Sequence, residues 1–259
     1  MKRTLSVATW NLSGGRLARS AGLFDYETNE NLDYFVDEIR KVSPDIICLP
    51  ETHLINNGTG EKSLTLRLAE RLDIPYSHEV PFHQSHIDSR YILGLGLISS
   101  KSFKATDYAL DQPEFPLVFK NGAKATPHTR WLIEADFGSF TIATVHNWPL
   151  EVFQYSYVSE PGATYGKSME RQYIEFLPKN KPLIVAGDLN FDNPQKVMPN
   201  FIETFELQEA LDINQPTRNE GDRPDHILYN SYFNCTESKV VVGKSEHYLC
   251  FAKFELNTI

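Results

Sequence analysis

Pro182-Leu183-Ile184-Val185-Ala186-Gly187-Asp188-Leu189-Asn190 is the stretch from which the fold can be read. Its apolar residues run without interruption, the pattern of a strand covered on both faces rather than one alternating between core and water. The run stops at Gly187, and an acid and a carboxamide follow as a polar tip. Just upstream, residues 167–177 place Met169, Tyr173, Ile174 and Leu177 on one helical face. The unit therefore reads helix, buried strand, polar tip.

The same unit opens the chain. Residues 5–10 form a strand that runs into the turn Asn11-Leu12-Ser13-Gly14-Gly15. A helix follows, capped by Asn29, with Leu32, Phe35, Val36, Ile39 and Val42 on one face and Ser43-Pro44 as its stop. Residues 46–49 are then a buried strand ending at Pro50-Glu51, and Leu64, Leu68 and Leu72 mark a second helix. The middle is β-rich: residues 91–99, 129–137 and 140–146 read as strands, the last two joined as a hairpin through Gly138-Ser139. Residues 225–229, 239–242 and 248–254 close the chain as strands. Helices alternating with strands in both halves, with hairpins between, predict mixed sheets flanked by helices. Two long segments, residues 106–128 and 147–166, read as loops, the second rich in aromatic residues from Trp148 to Tyr165.

Composition narrows the class. The chain has 259 residues, 41% hydrophobic, with 14 glycines and 15 prolines, which suits one globular domain over residues 1–259 and excludes a disordered or collagen-like chain. The net charge of −9 disfavours extended tracking of duplex DNA, although a local basic pocket is compatible with it. Cys48, Cys235 and Cys250 match no zinc or disulfide spacing, and no run approaches the ~18 apolar residues of a membrane span. The expectation is a cytoplasmic protein in a reducing compartment, with no membrane span and no obligate protein partner.

Polar residues gather where the strands stop: Asn11, Glu51, His146 with Asn147, Asp188 with Asn190, Asp225, and Glu246 with His247. Singly each has an ordinary reading. Asp188-x-Asn190 is a good Asx-turn, Asp225-His226 suits a surface pair, and His247 suits a core histidine. Together at one rim, carboxylates, carboxamides and imidazoles suit a hard divalent cation beside a phosphate, and so hydrolysis of a phosphoester.

The ordered set Thr9-Trp10-Asn11, Pro50-Glu51-Thr52, Thr144-Val145-His146, Gly187-Asp188-Leu189-Asn190, Pro224-Asp225-His226-Ile227-Leu228 and Ser245-Glu246-His247 resembles the endonuclease/exonuclease/phosphatase superfamily, the deoxyribonuclease I-like fold. Arg171-Gln172 and Thr217 are supporting marks. The resemblance implies a four-layer α/β sandwich of two mixed β-sheets flanked by helices. It implies Glu51 as the principal Mg²⁺ (or Mn²⁺) ligand, with Asn11 helping and Glu246 reaching the ion through water. It also implies that Asp188 orients or deprotonates the attacking water, that Asn190 holds a phosphate oxygen, that His247 pairs with Asp225, and that His146 faces the phosphate.

Two positions depart from the family pattern. Glu246 stands where the family has Asp, one methylene longer, and Asn147 where it often has Leu. Disulfide-bonded secreted nucleases and inositol polyphosphate phosphatases fit poorly, and so do basic abasic-site endonucleases. For substrate binding the candidates are Asn11, Asn147, Arg130 and Trp148. Arg130 joins Lys120, Lys124 and His128 as a local anion patch or a solvated loop. The aromatic loop carrying Trp148 stacks on bases or packs in the core. The expected activity is that of a divalent-metal-dependent phosphodiesterase, nuclease-like on a nucleic-acid end, single strand or nucleotide-like substrate. The alternatives are a phosphomonoesterase, a sphingomyelinase-like enzyme of the same superfamily, or a non-catalytic phosphate-binding module.

Overall fold

Two sheets form, each around one parallel pair of strands joined by a helix, as the repeated strand–helix–strand pattern requires. The computed structural model describes residues 3–17, 29–55, 62–85 and 90–257. The first half supplies β1 (Arg3–Thr9), α1 (Asn29–Val42), β2 (Ile46–Ile55), α2 (Leu64–Arg71), β3 (Tyr76–Gln84), β4 (Tyr91–Ser99) and β5 (Lys104–Leu110). Then come β6 (Arg130–Asp136), β7 (Thr141–His146), α3 (Gly162–Phe176), β8 (Leu183–Asp188), α4 (Pro194–Val197) and α5 (Pro199–Phe205). The chain closes with β9 (Gln208–Glu209), β10 (Asp225–Tyr229), β11 (Phe233–Val241) and β12 (Leu249–Leu256).

The first sheet has the order β11-β12-β1-β2-β4-β3 and the second β5-β6-β7-β8-β10-β9. β1 runs parallel to β2 across the α1 connection, and β7 parallel to β8 across α3, while the other pairings are antiparallel. The two sheets pack face to face through Val7, Ile46, Cys48, Ile142, Ile184 and Ala186. Phe35, Ile39, Leu64 and Leu68 of α1 and α2 cover the outside of the first sheet. Met169 and Tyr173 of α3, with Phe201 of α5, cover Leu183 and Val185 of the second. β8 thus sends alternate side chains to helices and to the opposite sheet, and its continuous apolar run is explained. The four-layer α/β sandwich of two mixed sheets stands.

Several expectations change in detail. β2 does not end at Pro50-Glu51. Its pairing with β4 shifts register between Leu49 and Thr52 and then resumes to Ile55. A bulge adds residues to one strand without terminating it, and nothing in the apolar pattern distinguishes the two. β3 lies at a sheet edge, with Pro81 at its own register shift, and β5 lies at the edge of the other sheet. Neither alternates cleanly, because edge strands are half solvated, and β5 takes residues 106–110 out of the expected loop. α3 starts at Gly162, five residues before the expected helix, and a 3₁₀ turn over Leu150–Phe153 orders much of the aromatic segment. α1 opens at Asn29 itself, whose side chain, expected as the cap, lies outside the described residues.

Among the described residues no helix is long and apolar enough to cross a membrane. The three cysteines are unpaired; Cys48 and Cys250 are buried, and burial pushes the Cys48 thiol up to about 12, which leaves it unreactive.

Ile184 is fully buried between the sheets. Truncation to Ala is expected to cost about 2–5 kcal/mol, read as a fall in the denaturant midpoint, because an inter-sheet cavity has little room to collapse.

Candidate active site

The strand registers place three polar residues side by side at one rim of the second sheet. Asp188 ends β8, and it lies opposite His146, the last residue of β7, and opposite Asp225, the first of β10. The approach is close enough that a Cβ on Gly187 would lie 2.1 Å from the Val145 carbonyl oxygen, so glycine is required before Asp188. Thr217, a supporting mark in the sequence, positions Asp225: its Oγ1 accepts from the Asp225 amide at 3.1 Å.

The first sheet meets that rim from the other side. Trp10 and Leu12 amides donate to the Cys48 and Pro50 carbonyls, both at 3.0 Å, so the β1–β2 ladder carries on to Asn11. Glu51 sits in the β2 bulge with φ +49°, a left-handed conformation that turns a strand residue out of the alternation. His247 precedes β12, and the buried Trp10 indole N–H donates to its carbonyl at 2.9 Å.

Side chains from both sheets then touch. The Asn11 amide nitrogen donates to Asp188 Oδ2 at 2.8 Å, and the Asn190 backbone N–H donates to Asp188 Oδ1 at 2.9 Å. His247 Nδ1 donates to Asp225 Oδ2 at 2.7 Å, and its Nε2 lies 3.9 Å from Asp188 Oδ2. His146 Nε2 stands 3.6 Å from Asp188 and 3.7 Å from Glu51, near both carboxylates yet beyond hydrogen-bond length. Arg130 Nη1 donates to His146 Nδ1 at 2.9 Å. The same Nη1 lies 3.3 Å from His146 Nε2, so the guanidinium caps the imidazole edge from one side.

Electrostatics separate the two histidines. Burial, then Arg130 and the other nearby imidazoles, hold His146 well below its ordinary value, so it is neutral. Burial also acts to lower His247, but Asp225, through charge and hydrogen bond, and Asp188 outweigh it and raise His247 to about 10. Asp188 is raised to about 7 by burial and by the Asp225 charge, against the pull of His247 and Asn11.

The donor set suits a hard cation. Asp188 and Asp225 bring carboxylate oxygens together with the His247 ring nitrogen, all within 4.8 Å of one another, and since His247 is held cationic the carboxylates are the cation donors there. Asp225 Oδ1 is buried without a hydrogen-bond partner among the described residues. Glu51, one quarter exposed, lines the same cavity together with Asn11 and the half-buried Glu246. These oxygens match the carboxylate and carbonyl donors that divalent cations such as Mg²⁺ take.

The cavity measures about 700 Å³ and collects Asn11, Glu51, His146, Asp188, Asn190, Glu246 and His247 in one place, with Arg130 and Trp148 in its wall. Asp225 lies behind His247, fully buried. Two substrate expectations require correction. Asn147 is 0% exposed, its amide nitrogen donates to the Leu189 carbonyl and its oxygen accepts from Tyr173, so it braces the Asp188 turn instead of meeting substrate. Trp148 is 1% exposed, with its ring packed by Arg130, His128 and Phe153, so no face is open for a nucleobase. Tyr157 and Tyr165 are likewise buried, and core packing accounts for the aromatic segment. His226, with the appearance of a surface residue in the sequence, is buried between Glu209 and the Phe191 carbonyl. Lys124 and His128 line the cavity, whereas Lys120 is exposed outside it. The structure adds Arg16, His83 and Arg218 to the lining. Arg16 follows the Gly14-Gly15 turn and Arg218 follows Thr217, both beside a motif but not part of one.

A sequence profile of the endonuclease/exonuclease/phosphatase family matches residues 8–247. Curated proteins gave no significant sequence match. Among solved structures, an endonuclease/exonuclease/phosphatase from Beutenbergia cavernae aligns over 98% of this chain and 72% of its own, at 19% identity and a TM-score of 0.70. The human Nocturnin catalytic domain with bound sulfate aligns over 99% and 97%, at 17% identity and a TM-score of 0.63. An AP endonuclease from Archaeoglobus fulgidus aligns over 96% and 98%, at 16% identity and a TM-score of 0.57. At these identities the neighbours speak for the fold, while the profile, spanning every motif from Ala8 to His247, speaks for descent, so the chain belongs to the endonuclease/exonuclease/phosphatase family of phosphoester hydrolases.

Proposed function

We propose that the chain is a divalent-metal-dependent phosphodiesterase acting on a nucleic-acid end, single strand or nucleotide-like diester. The supporting observation is the convergence of Asp188, Asn11, His247 with Asp225, and His146 from two sheets on one cavity. That cavity has the size of a small-ligand pocket, and the net charge of −9 disfavours a duplex-tracking face.

Asp188 accepts the proton of, or orients, the attacking water. Its carboxylate is fixed by Asn11 and the Asn190 amide, so the water meets a preset acceptor. His247, held cationic by Asp225, stabilises charge on the phosphoryl oxygens or protonates the leaving oxygen. Neutral His146 adds an imidazole facing the phosphate, and the Asn190 carboxamide supplies a donor at the turn. Glu51, with Asn11 through the remaining lone pair of Oδ1 and Glu246 through water, would hold Mg²⁺ or Mn²⁺, and the ion would neutralise negative charge on the phosphate.

Bis(p-nitrophenyl) phosphate, p-nitrophenyl phosphate and sphingomyelin form the assay panel. Turnover of the diester above the other two, abolished by EDTA and restored by Mg²⁺ or Mn²⁺, is expected. Faster monoester cleavage would make the chain a phosphomonoesterase, sphingomyelin cleavage a lipid phosphodiesterase, and binding without turnover a phosphate-binding module.

Asp188→Asn is expected to lower kcat by about 10²–10⁴-fold. The same change separates catalysis from stability. Folding takes up a proton at Asp188, because its folded value near 7 lies above the unfolded carboxylate value, so wild-type stability falls as pH rises toward 7. In EDTA, Asp188→Asn should therefore raise Tm at pH 8, and the gain should vanish near pH 4.

His247 has the opposite sense. Its folded value near 10 stabilises the native state fully below the unfolded value of about 6.5, and this is lost as pH rises through 10. Asp225→Asn removes the main cause of the raised value. The alkaline limb of the pH–rate profile is expected to move down by at least a unit, and an unmoved limb would deny His247 its charged role.

A further inference from the structure

One wall of the cavity takes no part in the steps above. It is built from the end of β3, the segment leading into β6 and the segment after β7, and its charged and imidazole groups are His83, Lys124, His128 and Arg130. These segments contribute no carboxylate to the lining; the acids come from the β2 bulge, the β8 tip and the segments around Arg218 and His247. In a chain of net charge −9, an acid-free wall of four nitrogen-bearing side chains stands out.

Their arrangement is continuous with the catalytic centre. Arg130 reaches His146 at 2.9 Å, and its guanidinium lies 4.9 Å from the Trp148 ring. His128 packs on Trp148 at 4.3 Å between centroids, and His83 on His128 at 3.6 Å. His83 lies on β3 of the first sheet and His128 just before β6 of the second, so their contact closes the cavity between the two. Lys124 belongs to a short turn in which Val118 bridges to Lys124 and Gly122 adopts φ +84°. Phe119, Val152 and Phe153 add an apolar lip beside the same groups.

We propose that this wall is a subsite for a second phosphate group, and that the preferred substrate is a nucleotide-like phosphoester carrying a phosphate besides the one attacked. The proposal rests on the phosphoesterase reading and narrows its substrate class. A phosphate beside an ammonium and a guanidinium forms charge-assisted hydrogen bonds, and the two imidazoles add ring nitrogens to the same space. The apolar lip receives the nucleoside, and Gln84 and Thr126 are the uncharged polar groups facing the same space.

Calorimetric titration in EDTA, which suppresses metal-dependent turnover, compares adenosine 3′,5′-bisphosphate with adenosine 5′-monophosphate. Wild-type protein is expected to bind the bisphosphate at least about tenfold more tightly, and Lys124→Glu and His128→Asn each to reduce that preference severalfold. Lys124 is exposed, so its charge reversal leaves the core intact and keeps the test open if His128→Asn fails to fold. Equal wild-type affinity for the two ligands, or an undiminished preference in Lys124→Glu, would overturn the proposal. A preserved preference in a protein that cleaves no phosphoester would instead sink the catalytic reading and leave the subsite standing.

Discussion

The apolar interface between the two six-stranded sheets is the constraint on which everything else depends. Cys48, Leu97, Ile142, Ile184 and Ile227 are each fully buried in it, and it fixes how far one sheet rim stands from the other. Hydrogen bonds cannot do this across the sandwich, since backbone ladders satisfy strands within a sheet only. Once the faces are packed, Asn11 of the first sheet meets Asp188 of the second, and His247 of the first meets Asp225 of the second. Both contacts are 2.7–2.8 Å long, and a slide of one sheet by about an ångström would break them.

The cluster is also a balance of opposed charges under burial. Asp188 and Asp225 are nearly inaccessible and adjacent, an arrangement that alone would be unfavourable. The cationic His247 lies against both, and the Asn11 amide and the Asn190 N–H supply donors. Burial and the Asp225 charge still keep the Asp188 carboxyl raised to about 7.

Much of this was legible in the sequence because periodicity reports burial. The unbroken apolar run of β8 announced a strand covered on both faces, and the polar tips at Asn11, His146 and Asp188 announced strand ends. Glu51 instead sits in a bulge, and Asp225 and His247 stand where strands begin. What stayed hidden has physical reasons. Edge strands β3 and β5 bury too little to show a pattern. The bulge at Glu51 is a local count of residues against a partner strand, invisible without that partner. Asn147 and Trp148 have the residue types of a substrate site, yet both are buried, and burial of a polar or aromatic side chain in a loop depends on what folds over it. Arg16, His83 and Arg218 reach the cavity from three separate segments, and only the three-dimensional arrangement brings them there.

The pairing of β1 with β12 sets Arg3 opposite Leu256. The first sheet is thus closed by segments from the two extremes of the described chain, with His247 just ahead of the closing strand. Loop closure over such a separation is entropically demanding and comes late relative to local contacts. During refolding, helices and hairpins can regain their ellipticity before the rims are aligned, and turnover becomes a reporter of the final docking rather than of secondary structure.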